Sequence, residues 1–149
     1  MNWLYEGKEI QNIEDLGESV FGFIYITHHL LTNKKYLGKK SLFHNVKKKL
    51  TKKELAEQTG PGRKPTTIVI QKESDWKKYY GSEEFIKQKI KENKQVEFTR
   101  EIIQLVPNKK LLTYYECKYQ FVYGVLESEE WLNTNILGKF YSKDFALQK

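Results

Sequence analysis

The sequence predicts an α+β fold: a small three-stranded antiparallel sheet flanked by helices, with a basic insertion after the second strand. Residues 21–38 read as two short strands around a polar turn. Residues 96–106 read as a third strand, and residues 111–126 as a helix with one apolar stripe. Between the second and third strands, a lysine-rich stretch ends in the loop Gly60-Pro61-Gly62-Arg63-Lys64-Pro65.

In chain order, residues 1–20 form a mildly acidic N-terminal arm. Ile10, Ile13 and Leu16 recur there at near-helical spacing, which suits a short helix or an arm packed on the sheet. In the first strand, alternation puts Phe23, Tyr25 and Thr27 on one face and Ile24 and Ile26 on the other. Thr32, Asn33, Lys34 and Lys35 form the turn, so Tyr25 and Tyr36 come to neighbouring antiparallel strands, ringed by Lys34, Lys35, Lys39 and Lys40. The insertion, residues 41–73, is expected to hold a lysine-rich helix over 46–58 with a thin stripe of Leu50 and Leu55, then a short extra strand over 66–70.

Residues 74–82 interleave aromatics with lysines. Trp76 and Tyr80, with Lys77 and Lys78, can lay rings and charges along a nucleic acid. Alternatively, Trp76 and Tyr79 are core anchors. Ser82 followed by Glu83 and Glu84 suits a helix start, with Phe85, Ile86 and Ile90 on its buried side. In the third strand, Arg100 shares a face with Phe98 and Ile102. It either faces a core, where it needs a partner, or points at a phosphate, or lies as an ordinary arginine near a strand end. The final helix carries Leu112, Tyr115, Tyr119, Val122 and Leu126 as its stripe, with Glu116 half sheltered at the edge. Glu116 reads as a hard-cation ligand or as a plain surface carboxylate.

Length fits one domain spanning residues 1–149. Charge narrows the function. The chain has 26 Lys plus Arg against 19 Asp plus Glu, and residues 34–53 hold nine lysines and no acid, a field that suits a polyanion or a solvated face. Lys40, Lys47, Lys48, Lys49, Arg63, Lys64 and Arg100 are the candidate nucleic-acid contacts. Only two of the basic residues are arginines, so the patch suits backbone contact more than base readout. A single cysteine, Cys117, excludes an internal disulfide and a cysteine-built zinc site. No apolar run has the length of a membrane span and the N-terminus is not a signal peptide, so a soluble cytoplasmic protein that does not partner a membrane is expected.

Phe23-Ile24-Tyr25 followed by Tyr36-Leu37-Gly38 resembles the two-part signature of the GIY-YIG nuclease family. The resemblance extends over residues 21–138 in the family's order of strand, turn, strand, helix, strand, helix with glutamate, and asparagine turn. The aromatic stretch 74–82 is similar to the segment downstream of the signature in phage and homing-endonuclease-like members. The resemblance implies a phosphodiesterase cutting double-stranded DNA with one divalent cation, Mg2+ or Mn2+, held by Glu116. It implies Tyr25 as general base or water-orienting group, Tyr36 as a positioning hydroxyl, and Asn133, or next Asn135, as the asparagine of the turn. The family's phosphate-gripping arginine has no counterpart after Gly38. Lys77 or Lys78, or else Lys39, Lys40 or Arg100, would take that place, with charge but, for the lysines, without bidentate geometry, and Lys35, just before Tyr36, is a further catalytic candidate. Lysines near Tyr25 are expected to favour its phenolate.

One site per chain implies a homodimer on DNA or two successive nicks. A phage-encoded protein in a host cytoplasm fits the family pattern. A catalytically weak or inactive nucleic-acid-binding module of the same fold is the alternative. A protein-interaction domain with a basic face is a third class, and it predicts no salt-sensitive DNA binding.

Overall fold

The two signature strands form a long hairpin in the computed structural model, which describes residues 2–147 and 149. The sheet they belong to is larger than three strands. The N-terminal residues supply β1 (Trp3–Tyr5) and β2 (Lys8–Ile10), joined by Glu6 and Gly7 at φ of 51° and 81°. Consecutive positive φ values are the backbone twist that a two-residue hairpin turn demands. The expected near-helical arm therefore resolves into strands, with a single turn of 3-10 helix at Ile13–Leu16. Next come β3 (Gly22–His29) and β4 (Lys34–Ser41), turned by Asn33 at φ 59°.

Phe43–Ser74 is a compact unit of its own, distinct from the unit made of Met1–Leu42 and Asp75–Lys149. It contains β5 (Phe43–Lys49), the short α1 (Lys52–Ala56) and β6 (Thr67–Glu73). The expected helix over 46–58 is thus strand over 46–49 and helix only over 52–56. Val46 pairs with Ile70 and Lys48 with Ile68, so cross-strand partners supply the apolar contact that a two-leucine helical stripe lacks. Helix begins only where Thr51 and Glu54 cap one another, the Thr51 hydroxyl accepting the Glu54 N–H at 3.2 Å and the Glu54 carboxylate accepting the Thr51 N–H at 3.1 Å.

In the larger unit, α2 (Glu84–Lys91), β7 (Phe98–Val106) and α3 (Lys109–Val122) follow, then the small pair β8 (Asn135–Ile136) and β9 (Phe140–Tyr141). The main sheet is five-stranded in the order β2-β1-β7-β3-β4, with β1 parallel to β7 and the other pairs antiparallel. Glu83, not Ser82, caps α2, its carboxylate accepting the Phe85 N–H at 2.7 Å. No helix among the described residues is long and apolar enough to cross a membrane.

Alternation along β3 splits the core between the sheet's two faces. Ile24 and Leu37 join Val106, Leu112, Val125 and Trp131 in one apolar cluster, which α3 helps to build. On the opposite face, Trp3, Phe23 and Tyr25 pack edge to face at centroid separations of 4.8 to 6.2 Å, with Trp76 against Phe23. Trp76 is fully buried, a core anchor and not a surface stacking platform.

Candidate active site

β4 is the last strand of the sheet, and an edge strand must satisfy its outward N–H groups somewhere. Three alternate residues of β4 find three different partners. Lys35 donates its N–H to the Glu130 carbonyl at 2.9 Å and accepts the Leu132 N–H at 2.7 Å. Leu37 donates its N–H to Asn133 Oδ1 at 3.0 Å, and its carbonyl accepts Asn133 Nδ2 at 2.8 Å. The backbone N–H of Lys39 is accepted by the Glu116 carboxylate. A backbone segment, a side-chain amide and a carboxylate thus follow one another along the edge. Asn133 mimics a strand residue, and being buried it fixes Leu37 between Tyr36 and Gly38.

The two signature tyrosines lie on one side of that edge. Tyr25 pairs in register with Gly38, and Tyr36 with Thr27. Beside Tyr25 the pairing of β3 with β7 shifts by a residue, Ile24 facing Gln104 and Tyr25 facing Ile102, an irregularity that re-aims the strand. The rings of Tyr25 and Tyr36 are 6.3 Å apart. Gly38 makes this possible: a Cβ there would stand 2.6 Å from the Tyr25 hydroxyl and 3.0 Å from the Tyr36 ring. The Tyr36 hydroxyl shares a hydrogen bond of 2.8 Å with Ser82 Oγ.

A third tyrosine completes the group. Tyr79 meets Tyr25 edge to face at 6.0 Å and lies under the Lys40 ammonium, 4.1 Å away. Its segment is fastened to the sheet through its carbonyls. Trp3 Nε1 donates to the Trp76 carbonyl at 2.7 Å, Arg100 Nη1 to those of Lys77 and Tyr79 at 3.0 and 2.8 Å, and the Thr27 hydroxyl to that of Tyr80. The Arg100 guanidinium also lies 3.9 Å from the Tyr80 ring and 4.5 Å from that of Trp3. Buried in this way, its pKa is pushed down to about 10 by desolvation. Arg100 therefore holds the aromatic segment in place and does not present itself to a phosphate.

Tyr36, Lys39, Ser82, Glu83, Glu116 and Gln120, with Asn133, Thr134, Asn135, Leu137 and Gly138, line a cleft of about 440 Å³. Burial pushes the Glu116 carboxyl up, and the Lys39 charge and N–H partly offset it. Burial, then the neighbouring tyrosines and Glu116, push the Tyr25 phenol well above its ordinary value. The same desolvation takes Tyr36 up to about 12, against the opposing pull of Ser82. Tyr25 is thus not acidified as the sequence suggests: burial, Tyr79, Tyr36 and Glu116 all push its phenol in the same upward direction. Glu116 and both phenols are close enough for its charge to act on each.

Tyr25, Tyr36, Lys39, Glu116 and Asn133 are thus brought together, while other residues read from the sequence are engaged differently. Lys40 is paired with Asp75 at 2.6 Å. Lys77 reaches Asn12 Oδ1 at 3.3 Å, Lys78 is exposed on the 3-10 turn Trp76–Lys78, and Lys35 leans on the Trp131 ring at 5.9 Å. Tyr80 is buried in the core with Ile86 and Phe98. Lys47, Lys48, Lys49 and Arg63 are exposed on the separate unit, and Lys64 there donates to the Gly60 carbonyl at 2.7 Å. Tyr79, Ser82, Glu83 and Gln120 are site residues that sequence reasoning misses. Tyr79 carries a signal in the aromatic run, whereas Gln120 gives none beyond standing one helical turn after Glu116.

The donors on the cleft are oxygens, led by the Glu116 carboxylate, and hard oxygen donors fit Mg2+ or Mn2+ better than a soft metal. A family model described as "Putative endonuclease segE, GIY-YIG domain" matches residues 3–136. Neither the curated proteins nor the solved structures contain a significant match to the chain.

Proposed function

This chain belongs to the GIY-YIG nuclease family, and we propose that it is a metal-dependent endonuclease of double-stranded DNA. The observation that carries the reading is a cleft at the edge of β4 lined by Tyr36, Lys39 and Glu116, with the buried Tyr25 ring 6.3 Å from that of Tyr36 and within reach of the Glu116 charge. Glu116 would hold the divalent cation, whose contribution is to neutralise charge on the phosphate and acidify water. Tyr25, held neutral by burial, orients the attacking water through its hydroxyl and is not its base. Tyr36, with Ser82 as its partner, positions the scissile phosphate. Lys39 supplies positive charge on the cleft wall where other family members use arginine. Asn133 is a positioning residue that keeps Tyr36 and Gly38 aligned through Leu37. One cleft per chain cuts one strand at a time, so a double-strand break needs a homodimer or two nicks.

A second reading, binding without efficient cutting, draws on the cleft wall: its cation is a lysine, and Arg100 is buried elsewhere. Supercoiled plasmid incubated with protein and Mg2+, or with chelator, separates the two. Mg2+-dependent nicking lost in Tyr25→Phe and Glu116→Ala supports the nuclease. Retarded but uncut plasmid with every divalent ion tried supports the binding module.

A further inference from the structure

The ribbon of β5 and β6 has two unlike faces. Directly opposed residues of an antiparallel pair share a face. One face carries His44 with Lys72, Val46 with Ile70, and Lys48 with Ile68. Val46 and Ile70 there are half-buried and pair directly with one another. The other face carries Asn45 with Gln71, Lys47 with Val69, and Lys49 with Thr67, all six exposed, and ends at the half-buried Phe43 opposite Glu73. Val69 is 62% exposed, an apolar β-branched residue set in solvent between polar pairs.

We propose that this second face enters the major groove of duplex DNA and reads base edges there, with Asn45 and Gln71 as the reading pair. The proposal rests on the DNA-endonuclease reading above and adds the source of its sequence preference. Three features argue for it. The unit Phe43–Ser74, of which the ribbon is the core, carries eight Lys and Arg against three Glu, so this small unit holds most of the chain's excess of positive charge. A ribbon of two strands about 4.8 Å apart matches a groove about 12 Å wide, which admits such ribbons. Most telling is the chemistry of the exposed face. Asn and Gln amides are both donor and acceptor and match the adenine N6 and N7 edge, and Val69 and Thr67 offer methyl groups to thymine. A face built only for backbone neutrality would need lysines and no amide pair.

The test is a library of duplexes with randomised sequence, selected for binding by the full chain carrying Glu116→Gln so that cutting is silent. The expected result is a preferred site containing A·T pairs. In Asn45→Ala with Gln71→Ala, that preference should fall roughly tenfold at one or two positions, with overall affinity for unselected duplex kept. Lys48→Ala, on the face turned away from the groove, should leave the sequence preference unchanged. An unchanged preference in the double variant overturns the proposal, as does selection of no preferred sequence by the parent. Salt-sensitive binding to an acidic peptide that duplex DNA cannot displace also overturns it and assigns the face to a protein. Plasmid nicking by the Asn45→Ala, Gln71→Ala chain with Glu116 intact checks the nuclease reading separately: nicking with unchanged preference sinks only the ribbon, and no nicking by the parent chain sinks the reading beneath it.

Discussion

At the cleft, Asn133 and Glu116 are sheltered and each engages the β4 backbone; on the ribbon, the polar side chains of the outer face stand in water. Asn133 pairs with both backbone groups of Leu37, and Glu116 takes the Lys39 N–H. Asn45, Gln71, Lys47 and Lys49 are exposed on strands whose ladder is complete without their side chains. The difference teaches where chemistry and stability can be separated. On the proposed reading, a substitution at the cleft should change the fold and the reaction together, whereas one on the ribbon's exposed face should change recognition alone.

The largest expected effect is at Glu116. Glu116→Gln should lower Mg2+-dependent nicking by on the order of 10²–10³, as loss of a principal electrostatic group does. Yet it should raise Tm near neutral pH. Burial lifts the folded carboxyl's pKa above its unfolded value of about 4.3. The ionised form therefore destabilises the fold, and that penalty disappears as pH falls below the unfolded pKa. Thermal melts of both proteins should differ at about pH 7 and converge toward about pH 4. Equal Tm across that range would mean that Glu116 costs the fold nothing. By the same sign, the parent's acid limb of activity should lie at higher pH than for an ordinary carboxylate. Lys39→Met should move it higher still, since the Lys39 charge lowers the Glu116 pKa.

Next comes Gly38. A methyl group there meets the Tyr25 hydroxyl at 2.6 Å, and that ring is walled in by Trp3, Phe23 and Tyr79. Gly38→Ala should cost about 1–3 kcal/mol of stability, the usual toll of overpacking. It should also displace one of the two phenols, read as loss of nicking larger than the loss of folded protein. A variant that melts and cuts like the parent would show that the tyrosines tolerate rearrangement. Asn133→Ala should be milder in activity, about 10–100-fold, because it acts through Leu37. It leaves two backbone groups of Leu37 without partners, at about 1–3 kcal/mol each before water repairs them. Asn133→Asp keeps the acceptor but sets a buried carboxylate oxygen against the Leu37 carbonyl, so near pH 7 it should melt no higher than Asn133→Ala.

The same contrast explains how much can be read from residue order. The tyrosine hairpin and the helix bearing Glu116 are legible because alternation and a helical stripe are local properties. Asn133 is legible only through the family's order of motifs, since its partner Leu37 lies 96 residues away. The role of Arg100 is not legible. Its strand gives its face, but the carbonyls of Lys77 and Tyr79 that engage it belong to a segment whose path the sheet decides. The N-terminal strands escape because each is only three residues long, too short for alternation to show, although Glu6-Gly7 is a turn signal. The ribbon reads as a helix because three consecutive lysines carry no period, and the strand that selects their conformation begins at Thr67.

The smallest expected effect lies on the ribbon and sharpens the comparison most. Lys48→Ala removes one exposed charge from a strand, so stability should stay within about 0.5 kcal/mol of the parent's. If Lys48 meets a phosphate, the slope of log affinity against log salt should become shallower by about 0.9, equally for every duplex sequence. The same substitution at Lys39 should behave differently. Lys39 donates to Thr113 Oγ1 at 2.9 Å and lowers the pKa of Glu116, so its loss should reach the reaction as well as binding. Nicking rates at saturating protein distinguish the two lysines: unchanged for Lys48→Ala, reduced for Lys39→Ala. If both variants lose only affinity, Lys39 is one more backbone contact, and the division between a cleft that reacts and a ribbon that recognises has been drawn in the wrong place.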